Sequence, residues 1–156
     1  MNNPLKFIIS LVITLGIGFS GSFFTRPEID GWFQTITKPS WNPPNYIFGP
    51  VWTTLYVLMG IALFLVWKSR ANERLKKPAF TFFVIQLVLN FLWSLIFFNQ
   101  HEIGWAMVDI ILLWIFILLT IFSFAKINKT AAWLLVPYIS WVSFAAILNF
   151  TIWRMN

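Results

Sequence analysis

The sequence predicts an all-α integral membrane protein, a bundle of five transmembrane helices with a long proline- and tryptophan-rich loop between the first and second. Two observations carry this reading. Of 156 residues, 59% are hydrophobic and only 10% charged, whereas a soluble domain carries about a quarter charged residues. The apolar residues also fall into five runs, at about 5–25, 47–67, 79–99, 103–125 and 131–153. Each holds about 21 to 23 residues, or about 31–35 Å as helix, enough to cross a bilayer's hydrocarbon with some tilt. The runs leave no room for a separate soluble unit, so 1–156 reads as a single membrane domain.

The first run exceeds the apolar core of a signal peptide. Phe19-Ser20-Gly21-Ser22 is only a weak cleavage site, so an uncleaved helix is expected. Within it, Gly16-Ile17-Gly18-Phe19-Ser20-Gly21 spells a dinucleotide-binding pattern. No strand precedes it and no acidic residue follows at the required distance, so that chemistry is excluded. Gly16 with Ser20, and Gly18 with Ser22, read instead as small residues four apart that let helices approach closely.

Residues 26–46 form the one long connection and contain Trp32, Phe33, Trp41 and Tyr46. An aromatic loop of this kind is expected to fold back over the helix ends. Pro39, Pro43 and Pro44 stiffen it, and Pro50 is expected in the first turn of the second helix, where its missing N–H costs least. Residues 68–78 form a basic turn. Residues 100–102 and 126–130 are tight turns that make the third, fourth and fifth helices antiparallel neighbours. Pro137 should bend the fifth.

Charge placement sets an expected orientation. Lys6, Lys68, Arg70, Arg74, Lys76, Lys77, Lys126 and Lys129 fall on the amino-terminal side, against Arg26, Lys38 and Arg154 on the other. This asymmetry predicts a cytoplasmic amino terminus, with the first loop and the carboxy terminus outside the cytoplasm. The basic residues lie in short loops between spans, which argues against nucleic acid despite a pI near 10.0. Residues 68–77 can meet anionic lipid head groups or simply enforce topology.

Several chemistries are excluded or weak. With no cysteine there is no disulfide, thiolate metal site or cysteine nucleophile. His101 is the only histidine and lies in a turn, where solvation is its ordinary role. No metal site, acid pair or catalytic triad is visible. Asp109 is the only carboxylate deep in a span, with Trp105 one turn before it. It reads as an internal hydrogen bond fixing the fourth helix, with a ligand or proton contact as the rival. Trp67, Trp133 and Trp153 sit at span ends, as interfacial tryptophans do.

Two stripes suggest an interior site. Gln86, Asn90, Trp93 and Phe97 share one face of the third helix. Trp141, Phe144, Ala145, Leu148 and Asn149 share one face of the fifth. The amides read either as cross-helix glue or as pocket groups, and the aromatics either as core or as the wall of a cavity.

These residues resemble the translocator protein family, also called tryptophan-rich sensory proteins, TspO, or the peripheral-type benzodiazepine receptor. The resemblance rests on four motifs in order: Lys38-Pro39-Ser40-Trp41-Asn42-Pro43-Pro44 with Phe48-Gly49-Pro50-Val51-Trp52-Thr53-Thr54-Leu55-Tyr56; Gln86 to Asn90 with Trp93; Gly104 to Asp109; and Pro137 to Trp141 continuing to Asn149. It implies a five-helix bundle, usually homodimeric, whose first loop caps a lipophilic pocket for porphyrins such as protoporphyrin IX and other lipophilic ligands, with no cofactor required. It implies ligand contacts at Trp32, Trp41, Trp52, Tyr56, Asn90, Trp93, Trp105, Trp141, Ala145 and Leu148. One departure concerns sterols. Phe150 stands where the mitochondrial members' cholesterol motif needs a tyrosine, so sterol binding by that route is not expected.

The resulting expectation is a membrane protein that binds tetrapyrroles for transport or stress sensing. Tryptophan faces would stack on the ring, while Arg26 or Lys38 would meet its carboxylates. The alternative is a light-dependent porphyrin-degrading enzyme in which Trp52 and Trp141 trap radicals.

Overall fold

The computed structural model describes residues 1–156. Seven helices follow in order: α1 Asn3–Ile29, α2 Trp32–Thr35, α3 Asn45–Lys68, α4 Glu73–Ser94, α5 Ile103–Ala125, α6 Lys129–Leu134 and α7 Val136–Met155. A π-helical turn, Leu95–Asn99, continues α4. Counting α4 with this turn and α6 with α7, five helices are long and apolar enough to cross a membrane. The protein is therefore an integral, multi-pass membrane protein with the expected five-helix bundle. Ile8, Val12, Phe19, Phe23, Ile111 and Phe122 are exposed on its surface. Apolar groups facing outward are what a hydrocarbon solvent requires.

Asparagines start three of the helices. Asn2, Asn72 and Asn128 each accept a hydrogen bond from the backbone N–H three residues on, at 2.9, 3.2 and 3.0 Å. Lys76 has a role the sequence did not suggest: its ammonium donates to the carbonyls of Trp67 and Ser69 and so satisfies the end of α3.

The first connection is more helical than expected. α1 continues through Arg26 and Pro27 to Ile29, and α3 already begins at Asn45, behind Pro44 at φ −58° and ψ 144°. Pro50 is thus the sixth residue of α3 and not in its first turn. Its missing N–H leaves the Tyr46 carbonyl without a helical donor. Pro137 has the expected effect, because the last span is broken at Leu135 into α6 and α7.

α1 packs along α3, α4 along α5, and α5 against both α6 and α7, while α3 is also held by α6. Close approach depends on particular glycines. A Cβ on Gly18 would collide with the Tyr56 ring, and one on Gly60 would lie 2.7 Å from Leu11 Cδ2. The pair Gly16 and Ser20 does not act this way, since nothing lies within 4 Å of a Cβ at Gly16.

Candidate functional site

A cavity of about 550 Å³ opens between α1, α3, the end of α4 and α7, in the half of the bundle beneath the first loop. That volume falls in the range of small-molecule sites, about 300–1,000 Å³. Six of the ten expected ligand residues line it: Trp52, Tyr56, Trp93, Trp141, Ala145 and Leu148. Trp52 stacks on Tyr56 at 5.8 Å and 29°, Trp93 stacks on Phe97 at 5.1 Å and 27°, and Trp141 tilts onto Phe144 at 5.4 Å. The walls are therefore flat π-faces already ordered by one another.

Polar groups hold this shell from behind. The Trp93 indole N–H donates to Asn149 Oδ1 at 2.9 Å, and Asn149 Nδ2 donates to the Ile103 carbonyl at 3.1 Å. Beneath the cavity a chain of side chains links three helices. Tyr56 Oη donates to Asn90 Oδ1 at 2.5 Å, Asn90 Nδ2 to Tyr138 Oη at 2.8 Å, and Tyr138 Oη to Gln86 Oε1 at 2.7 Å. The amide faces of the third and fifth spans thus work as cross-helix glue.

Four expected ligand residues lie elsewhere. Asn90 is 2% exposed and has both amide groups engaged by the two tyrosines. Trp105 is 66% exposed on the surface of α5. Trp41 is 46% exposed and sets its edge against Phe144 at 5.9 Å. Trp32 stacks on His101 at 4.2 Å and 8°. His101 is consequently more than a solvated loop residue. Its φ of 58° turns the chain, and Nε2 meets Glu28 Oε2 at 3.0 Å, joining the end of α1 to the turn between the π turn and α5. The loop folds over the helix ends, as expected. Asp109 is buried on α5 away from the cavity, and its Oδ2 has no hydrogen-bond partner, so the bond expected to fix that helix is not made there.

The two candidate cations separate clearly. Lys38 Nζ donates to the carbonyls of Phe33 and Ile36 and sits 4.7 Å over the Phe33 ring, so it organises the loop. Arg26 lines the cavity, and the ion pair at this end of the molecule is between His101 and Glu28, leaving Arg26 without a carboxylate.

Sequence reasoning missed two parts of the lining. Gly18 and Ser22 on α1, a pair read only as packing, continue at helical spacing to Thr25. Phe98 carried no signal. The π turn, closed by Gln100 N–H on the Leu95 carbonyl at 2.9 Å, inserts a residue and turns adjacent Phe97 and Phe98 both inward.

Comparison with known proteins agrees with this architecture. The chain is 45% identical over 155 residues to the tryptophan-rich protein TspO of Chlorobaculum tepidum, covering 97% of this chain and 98% of that one. It is 44% identical over 156 residues to the Archaeoglobus fulgidus protein of the same name, with 99% of each covered. It is 39% identical over 140 residues to the human translocator protein, with 88% and 82% covered. The model of the TspO/MBR family matches residues 9–154, and the chain belongs to that family.

Proposed function

We propose that the cavity binds protoporphyrin-like tetrapyrroles and other flat lipophilic ligands, for transport or stress sensing. The observation that carries this reading is an aromatic-walled cavity with one unpaired cation, Arg26, on its lining. A porphyrin is a broad π-system with carboxylates along one edge. Trp52, Trp93 and Trp141 supply faces for the ring, and Arg26 supplies the bidentate fork that suits a carboxylate. Relatives are named translocator protein and tryptophan-rich sensory protein. Those names describe carriage or sensing and favour binding over the light-dependent enzyme.

The test compares protoporphyrin IX with its dimethyl ester. Arg26→Gln is expected to weaken the diacid by about 3- to 5-fold, the modest size reflecting a solvent-exposed pair. The ester should bind equally to both proteins. Equal loss for acid and ester would remove Arg26 from recognition, and no saturable quenching of tryptophan fluorescence by either would remove the tetrapyrrole.

The same proposal includes orientation and assembly. Asn156 exchanges hydrogen bonds with the backbone of Thr37 at 3.0 and 2.8 Å, so the first loop and the carboxy terminus share one end. The basic asymmetry assigns that end to the side away from the cytoplasm. A carboxy-terminal reporter is expected to be active only there, and cytoplasmic activity would reverse the assignment. A homodimer follows by family resemblance, and chemical cross-linking in native membrane checks it.

A further inference from the structure

A second space of about 500 Å³ lies on the outside of the bundle, between α3 and α7. Pro50, Val51, Thr54, Leu55 and Leu58 form one wall, and Pro137, Ser140, Trp141 and Phe144 form the other. Each set is a single helix face extending about 10–12 Å. Both faces lie within membrane-spanning helices, so the groove opens to hydrocarbon.

Five observations bear on a link between this groove and the cavity. Trp141 and Phe144 line both spaces, so the partition between them includes side chains. α3 packs closely on α1 and α6, and α7 on α5, while α3 and α7 keep their backbones apart and meet through side chains such as Phe48 against Trp141 at 6.4 Å. The groove's hydroxyls are turned away from any ligand. Thr54 Oγ1 donates to the Pro50 carbonyl and Ser140 Oγ to the Val136 carbonyl, each at 2.8 Å. What remains is an apolar surface matched to an apolar visitor. Trp141 is held by ring packing alone, tilted onto Phe144 and edge-on to Phe48, with no hydrogen bond to fix it. Trp93 and Trp114 each donate their indole N–H, to Asn149 and Ser143, whereas the buried Trp141 Nε1 has no partner. Finally, Pro50 deletes one helical hydrogen bond in α3, and Pro137 stands in the first turn of α7 just past the break at Leu135, so both helices have a bend point along the same seam.

We propose that the seam between α3 and α7 is a lateral portal through which the cavity's lipophilic ligand enters and leaves from the bilayer, with the Trp141 ring as its swinging partition. This rests on the cavity taking such a ligand. A ligand dissolved in hydrocarbon would then reach the site without passing the aromatic loop.

The absence of cysteine makes the test clean. Thr54→Cys with Ser140→Cys places one thiol on each groove wall, and neither residue lines the main cavity. The purified, folded double variant in lipid nanodiscs is bridged with a disulfide-containing bismaleimide. Exchange of bound protoporphyrin IX dimethyl ester is then followed by tryptophan fluorescence. Bridging is expected to slow association and dissociation alike by about tenfold, leave Kd unchanged, and be reversed when reductant cleaves the linker. Ser140→Trp, which fills the groove without chemistry, should slow exchange in the same way. Wild-type exchange rates in both proteins would overturn the portal. So would rates that respond only to Pro43→Ala with Pro44→Ala in the loop. Failure of the unbridged protein to bind the ester would instead overturn the ligand assignment, and the portal with it.

Discussion

Trp52→Ala and Trp141→Ala are each expected to weaken protoporphyrin IX binding by about 5- to 150-fold, the equivalent of about 1–3 kcal/mol for loss of a stacked aromatic. The two rings lie on α3 and α7, on different walls of the same cavity. Each also braces a neighbour, Trp52 against Tyr56 and Trp141 against Phe144, so truncation removes a π-face and loosens the wall beside it. Trp52→Phe and Trp141→Phe retain a π-face and should lose much less. Trp105→Ala is the informative control. The family resemblance implies a ligand contact there, yet the residue is exposed on the bundle surface. Its removal should leave affinity unchanged, and a loss equal to that of Trp141→Ala would place the ligand outside this cavity. Illumination adds a second readout. If porphyrin loss under light survives Trp52→Phe and Trp141→Phe, oxidation of those indoles plays no part in it.

Much of this arrangement was legible in the sequence, for physical reasons. Hydrocarbon tolerates few charges, so the five spans stand out by composition alone. The 3.6-residue period places Gln86, Asn90, Trp93 and Phe97 on one face, and all four do point inward or line the cavity. Periodicity gives direction without depth, however. It could not tell that Asn90 lies beneath the cavity floor, or that Trp105 faces out while Asp109, one turn later, is buried. It also assumes a constant helical register, which the π turn at Leu95–Asn99 breaks, so Phe98 was invisible. Nor could the loop cations be distinguished, because Lys38 is consumed by carbonyls that only the folded loop brings together. The length of α1 was underestimated because Pro27 and the polar residues around it read as loop, while the helix runs through them to Ile29.

Asn90 separates a ligand contact from a structural one. Asn90→Leu keeps the branched shape and the number of heavy atoms but removes the acceptor for Tyr56 Oη and the donor to Tyr138 Oη. Tyr138 still donates to Gln86, so its hydroxyl keeps one partner. Tyr56 does not, and its hydroxyl is left unpaired beside the cavity, at a cost of about 1–3 kcal/mol. Gln86 and Asn90 lie on α4, Tyr56 on α3 and Tyr138 on α7, so the lost bonds are those that join three helices behind the site. The expected result is a fall in thermal stability of the detergent-solubilised protein, with porphyrin affinity changed less than by Trp52→Ala. Tyr56→Phe in the Asn90→Leu background removes the stranded hydroxyl and should recover part of the stability, because replacing both partners of a buried hydrogen bond costs less than orphaning one. A variant as stable as the wild type but unable to bind porphyrin would make Asn90 a ligand contact after all.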